Sequence, residues 1–214
     1  MDGPGGVGKG TISALLAEKL GWHYLDSGAL YRLTALACIQ RGIALDAEQA
    51  VAQVAENLQV KFLPRGGILL NNHEVEALIR SEEAGNNASR VAVLPAVRDA
   101  LFNRQKAFLQ TPGLIADGRD MGTAIFPDAC LKIFLNASPD ERAKRRYKQL
   151  MEKGNSVKIA DLVVDIRERD ERDMNRSASP LKAAHDAHII DTSELTIDEV
   201  FNSVVQLYSD ICAE

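Results

Sequence analysis

Apolar residues recur at helical spacing through Ile12, Leu15, Leu16 and Leu20, and the short run His23-Tyr24-Leu25 then ends at Asp26. The spacing predicts a helix opening near Gly10 and a short strand behind it. Ser27-Gly28 opens a second helix to about Arg41, with Ser27 as its expected cap and Gly42 as its end. Ala47, Val51, Val54, Ala55 and Leu58 predict a third helix, capped by Asp46. The period then changes. Val60, Phe62, Ile68, Leu69 and Leu70 flank Pro64-Arg65-Gly66-Gly67 as a β-hairpin, and Asn71-Asn72 makes a second turn leading to Val75.

Helical spacing returns over 81–93 and 95–109, the second opening on a proline at a tolerated first-turn position. Leu114-Ile115-Ala116 and 131–135 read as strands separated by a polar loop at 117–128. Helices over 139–153 and 159–176, a strand over 187–190 and a helix over 197–211 complete the pattern. Alternation of this kind predicts an α/β fold: a parallel sheet core flanked by helices, interrupted by a small antiparallel insert, with ligands at the carboxyl ends of the strands. One domain spanning 1–214 is expected.

Composition narrows the class. Apolar residues make up 46% of the chain and charged residues 26%, which is a globular rather than a disordered balance. No apolar run approaches the roughly 20 residues of a membrane span, so no membrane partner is expected and the cytoplasm is the expected compartment. A net charge of −5 argues against a nucleic-acid surface. Cys38, Cys130 and Cys212 have neither disulfide-framework nor zinc spacing, and His185 and His188 lack the further groups that would complete a metal ligand set.

The chemistry centres on Gly3, Pro4, Gly5, Gly6, Val7, Gly8, Lys9, Gly10 and Thr11, a glycine-rich loop that turns into the first helix. Glycine permits the positive φ angles that aim successive N–H groups at one anion, and the helix adds its positive dipole end. Lys9 would stand beside the β and γ phosphates, and the Thr11 hydroxyl is a candidate ligand for Mg²⁺. Gly10 occupies the place where the phosphate-loop rule has Ser or Thr. Such a loop ordinarily follows a buried strand, and because only Met1 and Asp2 precede Gly3, the first core strand is expected to be missing.

Further polar clusters fall where strands end. Asp26-Ser27-Gly28 with Tyr31-Arg32 follows one, and Asp117-Gly118-Arg119-Asp120 follows another. Arginine forks suit phosphates, while Asp26, Asp117 and Asp120 can accept from a base or sugar or hold a metal's water. In the run RERDERDMNR, Arg169, Asp173 and Arg176 share one helical face, whereas Glu168, Glu171 and Arg172 read as a solvated face. Lys144 and Lys148 read likewise, and Arg142, Arg145 or Arg146 is a candidate to face a nucleotide at a lid. Arginines around a phosphate loop suit phosphoryl transfer, in which charge spreads over the equatorial oxygens. A phosphate acceptor needs no dedicated base, since its second pKa is near 6.

GPGGVGKGT, DSGALYR, LIADGRDMGTAIFPDA and RERDERDMNR together resemble the bacterial cytidylate kinases, in register through nearly the whole chain. The resemblance implies a P-loop nucleoside monophosphate kinase fold with a monophosphate-binding region at 27–93, its β insert at 59–75, and a lid with the following arginine-rich helix at 152–176. It implies transfer of the γ-phosphoryl group of ATP, with Mg²⁺, to CMP or dCMP, by a monomer. ATP would lie on Gly3 to Thr11. The acceptor would lie on Ser27, Arg32, Ser89, Arg98, Arg119, Asp120, Arg169, Asp173 and Arg176, with Ser89, Arg98 and Asp120 reading the cytosine edge and Arg169 and Asp173 touching the sugar. Lys9, Arg119, Arg169 and Arg176 would be catalytic. Other readings are a kinase of the same fold acting on UMP, AMP or shikimate, and a binding-only remnant; a GTPase-like switch is disfavoured because the chain has no Asn-Lys-x-Asp motif.

Overall fold

The structure, a computed structural model, describes residues 1–62, 67–152, 154 and 156–212. Three residues of the expected hairpin turn (Pro64, Arg65 and Gly66) and two of the expected lid (Lys153 and Asn155) lie outside the described residues. The elements follow the chain as α1 (Lys9–Leu20), β1 (His23–Asp26), α2 (Ser27–Gln40), α3 (Glu48–Glu56), β2 (Val60–Phe62), β3 (Ile68–Leu70), β4 (His73–Glu74), α4 (Glu76–Ile79), α5 (Glu82–Val91) and α6 (Pro95–Lys106). Then come β5 (Leu114–Asp117), a π-turn (Met121–Ile125), β6 (Ile133–Asn136), α7 (Pro139–Glu152), α8 (Ile159–Asn175), β7 (His188–Asp191) and α9 (Ile197–Cys212). The chain forms two compact units, one made of Met1–Leu25 with Phe108–Glu214 and the other of Asp26–Ala107. Among the described residues no helix is long and apolar enough to cross a membrane.

In the first unit β1 pairs with β5, and β6 pairs in parallel with β7. Met1 and Asp2 join the two pairs. The Met1 amino group donates to Ala116 O at 2.7 Å and Met1 O accepts from Gly118 N, while Asp2 N donates to Ile133 O at 2.7 Å and Asp2 O accepts from Leu135 N at 2.8 Å. The expected missing strand is thus represented by two residues hydrogen-bonded on both edges, with a parallel bridge from Asp2 to Phe134. Ile133 and Leu135 alternate along β6 into a core shared with Val7, Ile12 and Leu16 and with Val200 and Val204, one turn apart on α9. Burying each such side chain contributes roughly 1.5–3 kcal/mol. Helices α7 and α8 pack on one another.

The second unit packs α2 on α5 and α3 on α6. The antiparallel insert forms with Val60 opposite Leu70 and Phe62 opposite Ile68, and β3 turns into β4 through Asn71 and Asn72, at φ 50° and 66°. Asparagine tolerates that left-handed region better than most residues.

Three expectations are corrected. Asp26, not Ser27, caps α2 by accepting from Ala29 N at 2.9 Å, which leaves the Ser27 hydroxyl to donate to Gln105 Oε1 at 2.7 Å. Asp46 does not cap α3; the cap residue is Ala47, with no side-chain bond, and Glu48 instead accepts from Ala96 N at the start of α6. The stretch at 117–128 is not wholly loop. Its π-turn is anchored by Asp2, whose carboxylate oxygens accept Met121 N and Gly122 N at 2.8 Å each.

Candidate active site

The glycine-rich loop is fixed by contacts that need its glycines. A Cβ on Gly3, at φ 142°, would stand 2.0 Å from Leu135 O, so the loop lies against β6 as no other residue would allow. Gly8, at φ 93°, caps α1. The Gly5 carbonyl accepts from Arg142 Nη1 at 3.1 Å, and the Val7 carbonyl from Thr192 Oγ1 at 3.4 Å. In a trans peptide the next N–H points away from the carbonyl, so Gly6 and Gly8 turn their N–H groups away from these partners, as an anion cradle requires.

Lys9 is buried, and its Nζ donates to Pro4 O at 2.8 Å. A Cβ on Gly5 would meet Arg119 Nη2 and Arg169 Nη1, each at 3.4 Å, so two guanidinium groups rest on its bare α-carbon. Burial, and then the charges of Arg119 and Arg169, push the Lys9 ammonium down to about 7 against the opposing pull of Asp117 and Asp2. Three cations held together in this way form a site for a polyanion.

Carboxylates fix the neighbouring arginines. Asp173 Oδ2 accepts from Arg119 Nε at 2.9 Å, and Asp120 lies 3.7 Å from Arg176 Nη2, with both side chains nearly fully buried. Arg176 ends α8 in extended geometry and donates Nε to Ser179 O at 2.7 Å. Arg172, expected on a solvated face, is half-buried and lies 3.9 Å from Glu168. Thr11 is exposed in the first turn of α1, and the buried Asp117, which accepts from Tyr24 OH at 2.7 Å, aims Oδ2 to within 3.6 Å of where a Cβ on Gly10 would lie. A hydroxyl and a carboxylate at the mouth of a phosphate cradle are the hard oxygen donors that Mg²⁺ takes.

In the other unit, Ser27 is buried against Gln105, and Ser89 is buried on α5. The Arg98 guanidinium lies 5.9 Å from the centre of the Tyr31 ring and reaches Ala92 O at 3.5 Å. Arg32 stands near Asp26. Burial would raise the Asp26 pKa, but Arg32 and Arg80, the latter bonded to it at 2.7 Å, hold the carboxyl below its usual range.

Arg142 and Arg145 turn most of their donors to the protein. Arg145 bonds Thr192 and Ser193. Arg142 bonds Ala137 O and Gly5 O and makes a two-pronged pair with Asp170. Asp170 was hidden by the charged run around it, in which a buried carboxylate and a solvated one look alike. Asp2 gave no signal either, since its partners lie 119 and 120 residues away.

The family model described as cytidylate kinase matches residues 1–210. The chain is 56% identical over 208 residues to a cytidylate kinase of Aeromonas salmonicida, covering 96% of this chain and 90% of that protein. It is 56% identical over 211 residues to one of Shewanella denitrificans, covering 96% and 93%, and 53% identical over 211 residues to one of Pseudomonas aeruginosa, covering 96% and 92%.

Proposed function

The chain belongs to the cytidylate kinase family, enzymes that transfer the γ-phosphoryl group of ATP to CMP or dCMP, and from that premise we propose how its residues divide the work. Gly3, Pro4, Gly5, Gly6, Val7, Gly8, Lys9, Gly10 and Thr11 hold the triphosphate. The observation that carries this reading is the meeting of Arg119 and Arg169 at Gly5, with Lys9, bonded to Pro4 O, within reach of both their charges. In the transition state the charge of the γ-phosphoryl group is spread over its three equatorial oxygens, and fixed cations stabilise it without reorganising. Arg176, buried against Asp120, adds a further positive charge. Mg²⁺, when held by Thr11 and through water by Asp117, supplies charge neutralisation of the phosphates.

The acceptor roles rest on the resemblance and on side-chain chemistry. Ser27, Arg32, Ser89, Arg98, Arg119, Asp120, Arg169, Asp173 and Arg176 bind CMP, the arginines taking phosphate and sugar. Asp120, with Ser89 and Arg98, reads the cytosine edge. A carboxylate accepts from the exocyclic amine of cytosine and is left unpaired by uracil, which penalises UMP. The monophosphate-binding region covers 27–93, the lid and the arginine-rich helix that follows it cover 152–176, and the enzyme works as a monomer in the cytoplasm. A dimer mass in sedimentation equilibrium would contradict the monomer.

Lys9→Ala is expected to lower kcat by roughly 10²–10³-fold while the protein keeps a cooperative melt. Unchanged turnover would remove Lys9 from the reacting site. Asp120→Asn is expected to narrow the preference for CMP over UMP; an unchanged ratio would move base reading elsewhere.

A further inference from the structure

Arg142 is 2% exposed, and its guanidinium joins three separate segments. Nε donates to Ala137 O at 3.0 Å, in the connection from β6 to α7. Nη1 donates to Gly5 O at 3.1 Å and to Asp170 Oδ1 at 3.0 Å, and Nη2 donates to Asp170 Oδ2. Asp170 follows Arg169 on α8, and Arg169 covers the α-carbon of Gly5. Gly5 is therefore held twice by α8, through its carbonyl by way of Arg142 and Asp170, and directly by Arg169.

A buried ion pair is a poor device for stability alone, because desolvating both charges offsets most of their attraction. Its value lies in geometry: a planar fork bonded to a carboxylate on two prongs fixes direction as well as distance. Any shift of α8 that lifts Arg169 from Gly5 must also break or drag the Arg142 fork.

We propose that Arg142 and Asp170 are positioning residues for phosphoryl transfer, locking α8 to the phosphate loop so that Arg169 stays beside Gly5. The inference rests on the reading of Arg169 as a catalytic group. Arg142 and Asp170 act through Arg169, and their loss shows in turnover and in the KM for CMP, which Arg169 helps to bind, rather than in the KM for ATP.

The test is a cycle of steady-state rates with ATP and CMP. Arg142→Lys keeps the charge but cannot hold Ala137, Gly5 and both Asp170 oxygens together, and it is expected to lower kcat by about 10–100-fold and to raise the KM for CMP in the same direction as Arg169→Ala, with the KM for ATP within about threefold. Asp170→Asn, of nearly the same shape, is expected to act in the same direction and serves if the lysine variant does not fold. Placed in an Arg169→Ala background, either substitution should cost less than about twofold further, because the group it positions is gone. A purely structural role would multiply with Arg169→Ala, or lower the melting temperature with kcat intact, and either result overturns the proposal. If Arg169→Ala alone leaves kcat unchanged, the catalytic reading of Arg169 fails and the proposal with it; if Arg169→Ala is slow and the other variants are fast, only the proposal fails.

Discussion

Lys9 carries two opposing demands. A phosphate site needs its ammonium, yet burial and the neighbouring arginines depress that charge to about 7 while no phosphate is present. In the unfolded chain the group titrates near its ordinary 10.5. The unfolded state therefore binds more protons between these two values, and the Lys9 contribution to stability rises as pH climbs from about 7 to about 10.5. Lys9→Met, which retains the chain length and drops the charge, should melt above the parent at pH 6 without ligands, with the gap closing toward alkaline pH. A constant gap across the range would contradict the depressed ammonium. Ser27 makes a related point at the same scale. Either Ser or Asp can cap a helix, and the choice fell to Asp26 because the Ser27 hydroxyl has Gln105 within reach, a partner 78 residues away.

At the scale of elements, periodicity located the helices and strands because each buries one face, and that face leaves its spacing in the sequence. The antiparallel insert was legible for the same reason, helped by Asn71-Asn72. The π-turn at Met121–Ile125 was not, because what builds it is a carboxylate from a distant strand position rather than any local period. Two charge-assisted bonds from Asp2 hold the turn that follows Arg119 and Asp120. Asp2→Asn should weaken them by about 1–3 kcal/mol, seen as a melting temperature lower by roughly 3–10 °C. An unchanged melt would show that the turn holds without Asp2. The glycine-rich loop was the most legible part of the candidate site, since an N–H cradle requires glycines at close spacing. The ion pairs behind it were not: Arg119 with Asp173, Arg176 with Asp120 and Arg142 with Asp170 each join residues 28 to 56 positions apart, one of each pair in or beside the charged run.

Over the whole molecule, a chain with a net charge of −5 gathers arginine and lysine around one loop. The positive field is therefore local and matched to a small polyanion rather than to an extended one. The fold and the family were both within reach of the sequence, as the match over residues 1–210 shows. The most direct measurement is ADP formation by this chain with ATP and Mg²⁺, comparing CMP, dCMP, UMP and AMP as acceptors. The expected result is the highest kcat/KM with CMP or dCMP, and turnover lowered by roughly 10²–10³-fold for every acceptor in Lys9→Ala. A faster reaction with AMP or UMP, or one undiminished by loss of Lys9, would contradict it.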